Sequence, residues 1–575
     1  ANAMSGTGTL TQKGAGALSL TGVNNYAAID NQSTIATLVN HKGGSTGALL
    51  YTGALPTDYY VYLSSPTQYG QLDVASSTGV MSFGLASSSS LSSGTYASVI
   101  TGVSNAGIAA TRSGEVNGYM WQLVQSSSNA LNWNLVLANS TINLNQTEKI
   151  SGWVDNVGIS INGGVLNVDV AGTHNNNIAL ANSTQNKIDS SSGVTTFSGV
   201  ISDASNNGAI TFSGPGTSVL TGQNTYTGVT TVNAGATLQI GAGGVSGTLG
   251  AGAVVNDGAL VFNRSDSITV ANVISGSGTL TQAGSGTTVL TGTNTYSGVT
   301  TISSGTLQIG VGGANGTLGT GAVVNNGVLA VNRSDSYTIA NAISGSGALT
   351  QMGPGTTVLI GSNSYSGVTT ISSGTLQIGD GGTSGTLGTG AVVNNGALAV
   401  NRSDSYTLAN AISGSGALTQ AGSGTAVLTG SNTYSGVTTI SSGTLQVGSG
   451  GTSGTLGTGA VVNNGALAIN RSDSYTIANV ISGSGTLTQA GSGTTILTGA
   501  NTYSGVTTIS SGTLQVGAGG TSGTLGTGAV VNNGALAVNR SDSYTIANAI
   551  SGSGALTQAG SGTTILTGAN TYSGV

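Results

Sequence analysis

Cysteine is absent from this chain of 575 residues, and proline, aromatic and charged residues are all scarce. Without a thiol, the chain has no disulfide framework and no thiol chemistry, which suits a protein that crosses an oxidising compartment. Charged residues make up only 5% of the chain, and the formal net charge is −6. No basic run offers the surface that nucleic acids or anionic lipids require. No apolar stretch reaches roughly 18 residues, so no segment is expected to cross a membrane as a helix.

Glycine is abundant instead, with 99 residues. Such a composition indicates disorder when it has no period, and collagen when glycine fills every third position. Neither applies, because a unit of 69 residues recurs along the C-terminal part of the chain, and one copy spans 297–365. The register is marked by arginines that lie 69 positions apart, at Arg264, Arg333, Arg402, Arg471 and Arg540. A fixed long period of this kind is the signature of a repeat or solenoid architecture.

Short alternations of apolar and polar residues fill the repeat, as at Leu307 and Ile309. A period of two, bounded by Gly, Asn and Ser, predicts short strands separated by turns. Frequent glycine disfavours helices, at about 1 kcal/mol per residue relative to alanine. The unit divides into three similar blocks of about 23 residues, beginning near Ser297, Thr320 and Ser344, which suits one β-helix turn each. We therefore predict an all-β fold, a parallel β-helix with about three turns per repeat.

The sequence Asn-Asn-Gly at 325–327 recurs in the later repeats, at 394–396, 463–465 and 532–534. Asn and Gly tolerate the positive φ of tight corners, and stacked Asn side chains can form hydrogen-bonded ladders. We predict both features at these positions. With strands about 4.8 Å apart, three turns would raise each repeat by about 14 Å, and five repeats would span roughly 70 Å.

The segment 428–448 has the sequence LTGSNTYSGVTTISSGTLQVG and resembles the passenger-associated transport repeat of Gram-negative autotransporter passengers. Copies of this motif extend over about 195–575. The resemblance implies a right-handed parallel β-helix that is exported to the surface of a Gram-negative bacterium. It leaves the activity open, because such passengers include adhesins, enzymes and inert stalks.

The period also suggests domain boundaries. Residues 1–26 form an N-terminal repeat-like segment, because 5–26 align without a gap with 275–296. Degenerate β-helix turns are expected over 146–226, and regular β-helix repeats over 227–575.

Residues 27–145 break the period, and we predict a small β-rich, sandwich-like domain there. Two alternating runs around Trp121 and Trp133, joined by a polar turn, predict a β-hairpin. The glycine-free segment 27–40 favours a short helix. Clustered aromatic residues are more typical of a domain core than of a ligand platform, although both interpretations stay open at this stage.

Catalytic groups are not evident in the repeats. Polysaccharide-cleaving β-helix enzymes need clustered acids, whereas each regular repeat carries one pair such as Arg333 and Asp335, about 14 Å from the next pair. We interpret these charges as solvated gatekeepers against lateral sheet pairing. His41 and His174 are solitary. We expect no enzyme activity and no catalytic, metal-binding or cofactor-binding residue.

Two functional hypotheses remain. In the first, the protein is an extracellular structural polymer that associates end to end into a fibre, because an uncapped β-helix end is an open sheet edge. Both ends of the chain have the same repeat phase, and the expected self-association residues are Leu10, Leu18, Leu20, Leu556, Ile565 and Tyr572. In the second, the β-helix is the stalk of an adhesin, and residues 27–145 bind a surface or glycan through an exposed aromatic groove.

Overall fold

The computed structural model describes residues 4–5, 8–13, 18–20, 24–32, 35–43, 46–117, 119–139, 141–144, 147–149, 158–169 and 171–575. Within these residues there is no α-helix, and nearly all regular structure is short β-strand. Most strands pair in parallel with a strand about one turn further along the chain. Parallel stacking of successive turns is the arrangement of a β-helix, so the predicted fold class is confirmed.

The chain divides into two compact units. The first contains residues 1–211 and 222–229, and the second contains 212–221 and 230–575. The domain boundaries expected at 26, 145 and 226 stay a prediction.

The second unit is a parallel β-helix with eight short strands in each regular repeat. In one repeat they are Ser336–Ile339, Ile343–Ser344, Ala348–Gln351, Thr356–Leu359, Thr369–Ile371, Thr375–Ile378, Val392–Asn394 and Ala397–Val400. The same pattern recurs from Ser267–Val270 to the last strand, Thr563–Leu566.

One turn of this helix is shorter than the predicted 23 residues. Paired residues in neighbouring turns are separated by as few as 19 positions, from Thr356 to Thr375, and by as many as 23, from Thr369 to Val392. The average is about 21, so a repeat of 69 residues makes about three and one third turns. Equivalent residues of successive repeats therefore lie about a third of a turn apart, with a rise of about 16 Å per repeat.

This offset is visible in the sheets. The sheet that begins at Ser336–Ile339 has eight strands, ends at Ile481–Ser482 and contains each kind of repeat strand once. The next sheet begins one repeat further on, at Ser405–Leu408.

The interior of the second unit is filled by alternate side chains of each strand. Leu307, Ile309, Leu329 and Val331 point inward and are at most 1% exposed. Burying one such side chain stabilises the fold by about 1.5–3 kcal/mol. Since successive side chains of a strand point to opposite faces, the intervening residues face outward.

The first unit contains a larger variety of strands. Those described are Met4–Ser5, Thr9–Gln12, Leu18–Leu20, Asn24–Asn25, Ala28–Asn31, Ile35–Asn40, Leu49–Ala54, Asp58–Val61, Leu63–Ser65, Gln68–Tyr69, Leu72–Thr78, Ser82–Leu85, Gly94–Thr101, Ser113–Val116, Tyr119–Gln125, Trp133–Asn139, Thr141–Leu144, Thr147–Lys149, Gly158–Ile161, Val165–Val168, Gly172–His174, Ile178–Leu180, Lys187–Ser190, Val194–Phe197 and Ile201–Asp203.

Much of the segment predicted to be sandwich-like shows parallel β-helix pairing instead. Ala28–Asn31 pairs in parallel with Leu49–Ala54, which pairs in parallel with Leu72–Thr78. A sandwich is built from antiparallel sheets. The sequence did not predict these β-helix turns, because their lengths vary and leave no fixed period.

The predicted helix over 27–40 is also wrong. The segment forms Ala28–Asn31 and Ile35–Asn40, with largely alternating burial, because apolar alternation outweighs the mere absence of glycine. The predicted hairpin is confirmed, since Tyr119–Gln125 and Trp133–Asn139 pair antiparallel.

The turn length generates a prediction about deletions. Removing 297–365 takes out one whole repeat and restores every kind of strand pair, so we expect a folded protein with unchanged cooperativity. Removing 297–330, about half a repeat, puts inward residues of the following strands out of register, and we expect a marked loss of stability. Circular dichroism with thermal melting of both variants checks this, and equal melting temperatures would contradict the turn assignment.

Candidate functional site

The self-association residues expected in the first unit lie on its two earliest longer strands. Leu10 lies on Thr9–Gln12 and is half-buried, and Leu20 lies on Leu18–Leu20 and is 3% exposed. Both belong to the same apolar core, which Leu10 joins at its margin. The side chain of Leu18 lies outside the described residues. Both strands stand at the end of their sheets among the described strands.

In the second unit, the last turn leaves side chains of the helix interior uncovered. Leu566 is 37% exposed, whereas Leu497, one repeat earlier, is fully buried. Leu556 and Tyr572 are half-buried here, although Leu487 is fully buried. A cavity of about 210 Å³ opens at this edge and is lined by Val538, Leu556, Thr557, Gln558, Thr564 and Leu566.

Ile565, another residue of the expected self-association set, does not line this cavity. It lies between Thr564 and Leu566, the two residues of its strand that line the edge cavity. Since neighbouring side chains of a strand face opposite sides, Ile565 faces outward, and it is 43% exposed. Leu566 is the inward residue that sequence analysis missed, and its place at the end of a Thr-Thr-Ile-Leu strand was the available signal.

The repeated charges form an internal clamp, which corrects their interpretation as solvated gatekeepers. The side chain of Arg333 is only 8% exposed. Its Nε and Nη2 donate to the two carboxylate oxygens of Asp335 at 2.9 and 2.7 Å, and its Nη1 donates to the carbonyl of Gly316. A bidentate pair of this kind fixes the guanidinium plane.

An aromatic ring completes the clamp. The guanidinium carbon of Arg333 lies 4.7 Å from the ring centre of Tyr337, and the Leu318 N–H donates to the Tyr337 hydroxyl at 2.9 Å. Together Arg333 and Tyr337 hold the glycine-rich loop that precedes Leu318. Hydrogen bonds from Arg333 lower the pKa of Asp335, and burial raises the pKa of Tyr337.

The first regular repeat has Ile268 where later repeats have tyrosine. There the Nη2 of Arg264 donates to the carbonyl of Val245 at 2.6 Å in addition to its pair with Asp266. A cavity of about 70 Å³ lies beside Ile268. The clamp therefore tolerates loss of the ring when the arginine bonds another loop carbonyl.

The predicted asparagine ladders are not formed at 325–327. Asn325 is fully buried, and its Nδ2 donates to the carbonyl of Ala348 at 2.8 Å in the next turn. Equivalent asparagines do not lie above one another, because each repeat adds a third of a turn. Positive φ occurs instead at residues such as Gly305 and Gly345. Gly327 is required for close approach, since a Cβ there would lie 2.6 Å from the Gly305 oxygen.

The aromatic residues of 27–145 chiefly form a core. Trp133 is 1% exposed and its Nε1 donates to the Val103 carbonyl at 2.8 Å, while Trp121 is 8% exposed. Tyr51 and Tyr59 are fully buried, and burial raises the pKa of Tyr51 to about 12. These side chains do not line an exposed groove.

Histidines and acids stay scattered in the described part of the chain, where no three of them are grouped closely enough to hold a metal ion. His41 stacks on Tyr62 with ring centres 4.1 Å apart, and burial lowers its pKa. His174 is buried near Phe197. Across the same described residues, no helix is long and apolar enough to cross a membrane.

The repeats differ in whether the side-chain oxygen of a buried glutamine accepts a hydrogen bond. The Thr357 hydroxyl donates to Gln351 Oε1 at 2.5 Å. In the following repeat the threonine is replaced by Ala426, and the buried Oε1 of Gln420 has no hydrogen-bond partner among the described residues. An unsatisfied buried acceptor is unfavourable by about 1–3 kcal/mol.

We expect Ala426→Thr to stabilise the protein by about 1 kcal/mol, because the new hydroxyl can donate to Gln420. The reverse change in the preceding repeat, Thr357→Ala, should destabilise by a similar amount. Chemical denaturation of both variants checks this. A destabilising Ala426→Thr would show that the site has no room for a hydroxyl.

Acid should weaken the clamps. Arg333 and its counterparts lower the pKa of their aspartates in the folded state, so their stabilisation is present above the unfolded pKa of about 3.9 and is lost as pH falls through the lower folded value. Replacing all five partners with asparagine should flatten the acid side of the stability profile, at Asp266, Asp335, Asp404, Asp473 and Asp542. Thermal melting from neutral to strongly acidic pH checks this, with Asp380→Asn in an exposed loop as the control. An unchanged acid profile would contradict it.

The comparisons with known proteins agree with this architecture. A family model described as Passenger-associated-transport-repeat matches residues 10–28, 210–240, 280–309, 349–378, 418–447, 487–516 and 556–575. Neither the curated proteins nor the solved structures contain a match to the chain. From residue 210 onward the matched segments recur with the period of the β-helix repeat, and passenger folds of this type are typically structural or adhesive. A secreted or cell-surface location follows from the repeat family. The repeats and the parallel β-helix together identify the chain as an autotransporter passenger-type β-helix protein.

Proposed function

We propose that this protein is an extracellular structural component of a Gram-negative bacterium and that its copies associate end to end. The observation that carries the proposal is the last turn of the second unit. It exposes Leu566 and part of Leu556, whose counterparts one repeat earlier are fully buried.

The edge of this turn is suited to strand addition. The strands Ala555–Gln558 and Thr563–Leu566 each stand at the end of a sheet among the described strands. Such an edge presents unpaired N–H and C=O groups and acts as a template for another strand. Covering Leu556 and Leu566 would also remove apolar surface from water, at about 25 cal/mol per Å².

A second copy offers a strand pair of matching spacing. Gln12 and Leu20 are separated by the same number of residues as Gln558 and Leu566. The β-helix already stacks two turns with this spacing. Val331 pairs with Gln351 at one side of a corner, and Ile339 pairs with Leu359 at the other side.

The resulting register is specific. Leu556 would lie beside Leu10 of a second copy, Gln558 beside Gln12, and Leu566 beside Leu20. In both copies these residues occupy the same alternating positions of their strands. Leucine would therefore pack against leucine, and glutamine against glutamine.

The adhesin hypothesis has less support. It requires aromatic residues of 27–145 to be available for a surface or glycan, whereas Trp133, Tyr51 and Tyr59 are buried. An adhesive role would have to use other groups of that segment.

Electron microscopy of the purified chain over a range of concentrations tests the proposal. We expect fibres at high concentration, and none for Leu566→Lys, because a charge at the uncovered edge opposes its burial. Val506→Lys is the matched control, since Val506 is 38% exposed on the side of the helix, and it should leave fibres intact. Isolated particles at every concentration, or fibres formed equally by a folded Leu566→Lys protein, would overturn the proposal.

A further inference from the structure

An exposed Asn-Gly pair occurs at the same corner of four regular repeats. The asparagines are Asn326, Asn395, Asn464 and Asn533, and each side chain is exposed to solvent. The first regular repeat has Asp257-Gly258 at this corner. Aspartate is the product of asparagine side-chain hydrolysis, so the five repeats contain both the amide and the acid form of one site.

Two hydrogen-bond donors converge on the amide oxygen at this corner. The backbone N–H of Ser346 donates to Asn326 Oδ1 at 3.1 Å, and the Ser346 hydroxyl donates to the same atom at 3.3 Å. The serines of the later repeats make the same two contacts, at 3.2 and 3.4 Å each, from Ser415, Ser484 and Ser553. Donors placed on a carbonyl oxygen stabilise the negative charge that develops when the carbonyl carbon is attacked.

Glycine supplies the nucleophile. The backbone nitrogen of Gly327 follows the asparagine directly, and glycine carries no Cβ that would hinder its approach to the side chain. The amide group that would leave is in contact with water, because Asn326 is exposed.

We propose that these four corners are sites of spontaneous deamidation, in which the fold assists the reaction. The nitrogen of Gly327 bonds to Cγ of Asn326, the Cγ–Nδ2 bond breaks, and the proton of the glycine amide leaves with the nitrogen as ammonia. Water then opens the cyclic imide to a carboxylate. The same steps apply at Asn395, Asn464 and Asn533, and they require neither an enzyme nor a cofactor.

The structure already contains a fitting product. Asp257 accepts from the Ser277 N–H at 2.8 Å and from the Ser277 hydroxyl at 3.0 Å, both shorter than the contacts of Asn326. These hydrogen bonds lower the pKa of Asp257, so the carboxylate is ionised at neutral pH. The acid form therefore keeps the corner and strengthens its contacts.

Complete conversion would change the surface charge in a regular way. Four new carboxylates would take the formal net charge from −6 to −10. Successive sites are offset by a third of a turn and a rise of about 16 Å, which exceeds the screening length of about 8 Å at physiological salt. The new charges would therefore not destabilise one another strongly.

Peptide mass spectrometry of the folded chain, aged in mildly alkaline buffer, tests the proposal. We expect the amide-to-acid mass change at the four corners before it appears at Asn315, an exposed Asn-Gly pair in a glycine-rich loop. Ser346→Ala removes one donor and should slow the reaction at Asn326 by about tenfold, less than the loss of a buried oxyanion-hole donor. The other three corners serve as controls within the same molecule.

Two results would overturn the proposal. Corner asparagines that remain intact while Asn315 reacts would mean that the rigid corner prevents ring closure. An unchanged rate at Asn326 in a folded Ser346→Ala protein would mean that the serine hydroxyl contributes nothing. Water can open the imide at either carbonyl, giving aspartate or the β-linked isomer isoaspartate, and the peptides that contain each form are separated in the same experiment. Isoaspartate as the main product would contradict the Asp257-like product.

Discussion

The structure depends on one constraint, which is that every turn must offer the next turn a matching row of backbone hydrogen-bonding groups and inward side chains. In the second unit, Thr356–Leu359 meets Thr375–Ile378, and that strand meets Ala397–Val400, all in parallel. Residues such as Leu359 and Ile378 are consequently buried completely. Where a turn has no successor in this chain, the same side chains are exposed, as at Leu566. Stacking of one turn on the next therefore determines which inward side chains are buried.

The non-integral number of turns per repeat determines how the surface is organised. Because each repeat adds about a third of a turn, equivalent groups occupy different edges of the helix in succession. Arg333 and Arg402 are thus not neighbours along one face, and neither are Asn326 and Asn395. No face carries a continuous row of identical groups, which favours contacts at the ends of the helix over lateral alignment. This arrangement is consistent with the proposed end-to-end association.

The few charged residues of each repeat contact other groups of the same repeat. Arg333 is nearly buried and bonds both Asp335 and the carbonyl of Gly316, so it holds a loop whose largest apolar side chain, Val311, is 60% exposed. Glycine makes such a loop possible, and Gly316 has a φ of 93° that other residues rarely adopt. The charged pair therefore acts as a structural contact within the repeat.

The repeat period, the short alternating runs and the abundance of glycine were enough to predict strands, turns and a parallel β-helix, because these features are local or strictly periodic. The errors concern neighbours in the adjacent turn. The length of a turn, the partner of Asn325, the burial of Arg333 and the inward role of Leu566 rather than Ile565 all depend on which residue lies about 21 positions away. That distance varies from 19 to 23 within one repeat, and no residue type reveals it. Composition and period thus determined the class of fold, whereas the register between turns, decided only by tertiary packing, determined which side chains became buried, clamped or exposed.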